Sequence, residues 1–122
     1  MTEIFISVLI FIAGLINFVP IMGLSSRSKL RKLYGIEISD SNTEILMRHR
    51  AVMFGLLGGF MMYAAVSQTL QKWAIGGGLI SMAAFIGLGL QTGAYTLHIK
   101  KIIKADIVGI ICLLIAGGLI LQ

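Results

Sequence analysis

Two opposite charges, Arg48 and Asp106, each begin a stripe of small residues at helical spacing in a chain otherwise poor in charge. Asn17, Gln91, Tyr95 and His98 fall at the same end of their own apolar runs. Polar groups are costly away from water, so these six are expected to face one another or a bound polar group. Two chemistries fit them. One is a buried ion pair between Arg48 and Asp106, with Asn17 and Gln91 as interhelical hydrogen bonds. The other is a pocket that binds a polar or anionic headgroup, with an apolar tail running between helices. Asp106 stands near the start of its helix, where the dipole favours negative charge in either case. Catalysis is harder to assemble: Cys112 lies deeper than Asp106 and has no base beside it. His49 and His98 have no carboxylate or cysteine spaced to complete a metal or haem site, so neither metal nor cofactor is expected. Gly76-Gly77-Gly78 is not a phosphate loop, because no strand precedes it and no Lys-Ser or Lys-Thr follows. The seven methionines are scattered and read as packing residues.

The elements that must position these groups follow from composition. The chain has 122 residues, 57% hydrophobic and 12% charged, with a mean hydropathy of +0.96. A soluble domain averages about 25% charged residues, so much of this surface must face something other than water. Crossing a hydrocarbon layer of about 30 Å at a rise of about 1.5 Å per residue takes roughly 20 apolar residues. Four runs meet that need, at about 4–24, 45–68, 73–97 and 102–121, with a polar link over 25–44. The first lacks a basic lead and a small-residue cleavage pattern, so it reads as a span and not as a secretory signal. Short second and third links make consecutive helices antiparallel neighbours. The expected fold is all-α: a single membrane domain over 1–122, built as a four-transmembrane antiparallel helical bundle.

Within the polar link, Leu30, Leu33 and Tyr34 recur at helical spacing among Arg27, Lys29, Arg31 and Lys32, and Gly35 follows as a stop. This predicts a short helix lying in the headgroup layer of the first cytoplasmic loop, its basic residues contacting anionic lipid. Ser41-Asn42-Thr43-Glu44 has capping-box spacing and predicts the start of the second long helix. Glu44 and Arg48 are four apart and can pair on it. Nine Lys and Arg flank the first and third links, whereas Lys72 stands alone on the other side. That bias predicts basic loops in the cytoplasm and both termini outside. The net charge of +5 is not a nucleic-acid signal, because the basic residues flank apolar spans.

Each span carries small residues along one face, the kind of surface that packs helix on helix. The stripes read Ser7, Ile10, Gly14, Asn17; then Arg48, Ala51, Gly55, Gly58 or Gly59; then Gly76, Ile80, Ala84, Gly87, Gln91, Tyr95, His98; then Asp106, Gly109, Leu113, Ala116 or Gly117. If these faces form the interior, Asn17, Arg48, Gln91, Tyr95, His98 and Asp106 converge in one pocket. Arg50 continues into Phe54, Leu57 and Met61, an apolar face, and is expected to snorkel toward headgroups, as is His49.

Leu33-Tyr34-Gly35 with Asp40, Leu46-Met47-Arg48-His49-Arg50, Phe54-Gly55-Leu56-Leu57-Gly58-Gly59, Gly93-Ala94-Tyr95 and Ala105-Asp106 together resemble small bacterial four-helix membrane proteins of a DoxX-like type. The resemblance covers nearly the whole chain and implies a four-helix bundle in the bacterial cytoplasmic (inner) membrane, with no defined reaction. Similar chains are sometimes labelled phosphopantetheine adenylyltransferase, a soluble α/β enzyme with a His-x-Gly-His motif. Here the two histidines are far apart and no such site carries over. The leading functional expectation is a non-enzymatic accessory subunit or binder of a lipid-like molecule, partnered by membrane lipids and by its own copies or a larger complex. A small transporter or channel component is the alternative, though no polar row crosses the membrane. A membrane enzyme using the same cluster is the third.

Overall fold

The computed structural model describes residues 2–24, 27–37, 39–93 and 97–121, with the side chains at 22–24, 27 and 33 outside the described set. Helix α1 spans Thr2–Phe18 and runs on as a 3-10 segment, Val19–Leu24. There follow α2 at Arg27–Tyr34, α3 at Ser41–Ala64, α4 at Gln68–Thr92 and α5 at Leu97–Leu121. No strand occurs among the described residues. Four helices, Thr2–Ile21, Ser41–Ala64, Gln68–Thr92 and Leu97–Leu121, are long and apolar enough to cross a membrane. This is consistent with a multi-pass membrane protein.

Local sequence explains where the helices start and stop. Pro20 supplies no N–H and crowds the preceding turn, and the chain tightens to 3-10 geometry around it. Gly35 ends α2 in the left-handed region (φ 69°), its N–H bonding the Arg31 carbonyl at 2.7 Å. The cap of α3 falls one residue earlier than the capping box predicts: the Asp40 carboxylate accepts from the Thr43 N–H at 3.1 Å. Glu44 pairs forward with Arg48 at 3.1 Å. Between α3 and α4 the turn is clamped by Gln71, whose Nε2 donates to the Ala65 carbonyl at 3.0 Å. Gly93, at φ 76°, closes α4.

The core joins Ile6, Leu9, Ile10 and Ala13 of α1 to Met61 and Ala64 of α3, Ala74, Ile75 and Met82 of α4, and Leu113 and Ala116 of α5. Glycine lets α1 and α3 touch at the backbone: a Cβ on Gly58 would lie 2.5 Å from the Phe18 nitrogen and 2.6 Å from the Gly14 oxygen. Three of the four small-residue stripes face inward as their spacing predicts. In α1 these are Ile10, Gly14 and Asn17, in α3 Ala51, Gly55 and Gly58, and in α5 Asp106, Gly109, Leu113 and Ala116. The α4 stripe does not. Its inward face is Gln71, Ala74, Ile75, Gly78 and Met82, while Ile80 is 73% exposed and Ala84, Gly87 and Gln91 lie on the outside. Helix α4 is apolar all round, with small residues on both faces, so spacing alone gives it no preferred side.

A second, smaller cluster docks α2. Leu30 and Tyr34 are fully buried against Ile36, Met47, Ile99 and Ile102, while Lys29, Arg31 and Lys32 stay exposed.

Candidate functional site

Each of the five helices sends a residue to one cavity of about 150 Å³. Ile16 and Asn17 come from α1, with Val19 and Pro20 from its 3-10 extension. Tyr34 comes from α2, Arg50 and Phe54 from α3, Phe85 from α4, and Ile102, Ala105 and Asp106 from α5. The walls are mostly apolar, with a cation and an anion among them.

Arg50 is the cation. Its i+4 neighbour Phe54 shares its face of α3, and the guanidinium carbon lies 4.9 Å from that ring's centroid. Tyr34 stands at 5.2 Å and Phe85 at 5.0 Å. Three electron-rich faces around one half-buried guanidinium stabilise its charge, by about 0.5–2 kcal/mol per ring in favourable geometry. Asp106 is the anion. It is 8% exposed and lines the same cavity as Arg50. Asn17, 2% exposed, gives its Nδ2 to the Ala13 carbonyl one turn back, at 3.0 Å. Burial pushes the Tyr34 phenol above its usual 10.0, with Arg50 pulling the other way and Asp106 adding to the rise.

The six residues expected to converge divide. Asn17 and Asp106 meet at the cavity. Arg48 does not line it, being half-buried on the carboxylate of Glu44. Gln91 and His98 are exposed, His98 packing where a Cβ on Gly35 would come within 2.6 Å of its Nδ1. Tyr95 lies outside the described residues. Among the residues assigned to headgroups, Lys29, Arg31 and Lys32 are exposed, with Arg31 3.5 Å from Glu37. The side chain of Arg27 lies outside the described set. Arg50 is the correction: its apolar-looking face is the inner aromatic wall, and it points into the bundle, not out to headgroups. The spacing Arg50-x-x-x-Phe54 was a legible signal for a cation over a ring. Phe85 had none, because its place depends on the rotation of α4.

Among the described residues no three His, Cys, Asp or Glu side chains cluster as a metal site would need. At the far end of the bundle a shallower groove of about 860 Å³ runs beside the start of α1, the α3–α4 turn and the end of α5.

Comparison with protein-family models, with curated proteins and with solved structures found no match to this chain.

Proposed function

We propose that this chain is a non-enzymatic, multi-pass protein of a bacterial cytoplasmic membrane that binds the polar head of a lipid-like molecule between Arg50 and Asp106. It acts alone, as a homo-oligomer or as an accessory subunit of a larger membrane complex. The carrying observation is that all five helices wall one small cavity holding opposite charges. Charges at this depth are expensive, and a hydrophobic replacement of similar volume would often pack as well. A bound polar group accounts for keeping them. A DoxX-like kinship and an antiparallel order of the four helices belong to the same proposal. In it α2 lies in the cytoplasmic headgroup layer, with Lys29, Arg31 and Lys32 on anionic lipid at about 1 kcal/mol each.

The test compares the singles Arg50→Met and Asp106→Leu with their double, by melting temperature in detergent and by mass spectrometry of bound molecules. A head-binding cavity predicts destabilised singles, because each strands a charge (about 3–5 kcal/mol). It also predicts a double that recovers most stability yet loses its co-purifying lipid. Arg48→Gln, which alters the ion pair with Glu44 and no wall of the cavity, should keep the lipid. A double that recovers stability and still carries the same lipid would mean the pair only ties α3 to α5.

A further inference from the structure

We infer that the head held between Arg50 and Asp106 is zwitterionic, an ammonium that retains its N–H bonds joined to a phosphate or carboxylate, and that it belongs to a lipid. This rests on the head-binding reading above and adds the chemical class. The argument begins with which hydrogen-bonding atoms the protein leaves for a ligand. Asn17 spends its amide nitrogen on Ala13, so its Oδ1 remains as an acceptor. Among the described residues no hydrogen bond reaches that oxygen or the Asp106 carboxylate. Among the described residues no fully enclosed side-chain oxygen or nitrogen lacks a partner, so both groups look onto the cavity they line. These are acceptors waiting for N–H or O–H donors, on side chains more than nine-tenths buried.

Arg50 offers the opposite. Its guanidinium carbon lies 5.2, 4.9 and 5.0 Å from the Tyr34, Phe54 and Phe85 ring centroids, and its N–H groups are the part that binds carboxylate or phosphate. An anion alone would satisfy Arg50 and be repelled by Asp106. A cation alone would satisfy Asp106 and be repelled by Arg50. A zwitterion laid across the cavity answers both and leaves the enclosed charge at zero. Its positive end must keep N–H groups, because the rings that could cage a methylated ammonium already hold Arg50 and the free acceptors need donors. The cavity, at about 150 Å³, falls below the roughly 300–1,000 Å³ of sites that enclose a whole small molecule. It therefore takes a head and leaves the rest outside. Val19, a wall of the cavity and 44% exposed, opens that wall to the outer surface of the bundle, where acyl chains run.

The experiment uses the whole chain in detergent with lipids of identical acyl chains and different heads: phosphoethanolamine, phosphocholine, phosphoglycerol, and a trimethylammonium cation. Soluble glycerophosphoethanolamine is the fifth arm. Adducts by native mass spectrometry and the shift in melting temperature are read against concentration. The phosphoethanolamine lipid should half-saturate at a concentration about tenfold lower than the other three lipids. Asp106→Asn and Asn17→Leu should each bring it to the level of phosphocholine. Because the head comparison is made on the unaltered protein, a variant that fails to fold leaves the proposal testable. Phosphoglycerol lipid binding as tightly as phosphoethanolamine lipid would overturn the zwitterion while sparing the head-binding reading. Saturation by the soluble head at the same concentration would overturn the lipid. No preference among any of the heads would remove both.

Discussion

Arg48 and Arg50 stand two residues apart on one helix and do different jobs, a contrast settled by what lies four positions away. Arg48 meets Glu44 one turn back and closes a local ion pair. Arg50 meets Phe54 one turn on, and that ring directs it inward to Tyr34, Phe85 and Asp106. Small-residue spacing favoured Arg48 as the inner residue because Ala51 and Gly55 follow it. Both of those glycine-stripe residues are buried as expected. Their partner at the stripe's end is not, because a long side chain can leave the face its Cα occupies. Tyr34 gives this cluster a pH dependence of its own. Its folded pKa lies above 10.0 through burial, so the neutral phenol is favoured in the native state. The stability it contributes is complete below pH 10 and is lost as the pH climbs through the raised value. The melting temperature should therefore fall above pH 10 more steeply than in Tyr34→Phe. Parallel curves for the two proteins would mean that ionising Tyr34 costs nothing, and that its burial against Arg50 is loose.

At the scale of the helices, glycine decides how closely they approach, and the informative pair is Gly58 with Gly59. The sequence offers Gly55-x-x-x-Gly59 as a packing motif. The bundle instead seats Gly58 on the backbone of α1 at Gly14 and Phe18, and leaves Gly59 with nothing within 4 Å of a Cβ. A methyl group on Gly58 has nowhere to go, since its neighbours at Phe18 and Gly14 are backbone atoms that can yield only if the helices part. Gly58→Ala should destabilise by about 1–3 kcal/mol, the usual range for overpacking. Gly59→Ala should be neutral or slightly favourable through helix propensity. Melting temperatures of the two variants in one detergent measure the difference, and equal losses would show that α1 and α3 pack by another face. Three helices were legible in this respect because their apolar and small residues segregate. In α4 they do not, so spacing points Gln91 inward and gives no sign of Phe85; its neighbours in space set its rotation, not its sequence.

For the whole molecule, length and charge carry most of what the sequence makes legible. Four apolar runs became four helices able to cross a membrane, and the short basic helix formed with Leu30 and Tyr34 inward. The candidate site was legible by its depth in the bundle and by two residues, Asn17 and Asp106. Its cation was legible only through Phe54 on the same helix, because the contacts with Tyr34 and Phe85 on two other helices are written in no single stretch of sequence. The orientation of the bundle is a further consequence of charge. Lys29, Arg31, Lys32, Arg48 and Arg50 belong to α2 and the start of α3, and Lys100, Lys101 and Lys104 to the start of α5. Lys72, near the start of α4, is the exception. Moving the larger group across a membrane during insertion is opposed, so these ends should remain in the cytoplasm and both termini outside. Single cysteines replacing Thr2, Ser39 and Leu121 in a Cys112→Ala background test this with an impermeant maleimide. Ser39 is chosen over Asp40 because Asp40 caps α3. In intact cells Thr2→Cys and Leu121→Cys should react, and Ser39→Cys only after permeabilisation. The reverse pattern would put the Arg50–Asp106 cavity at the outer surface, and the lipid head proposed for it would then have to come from the outer leaflet.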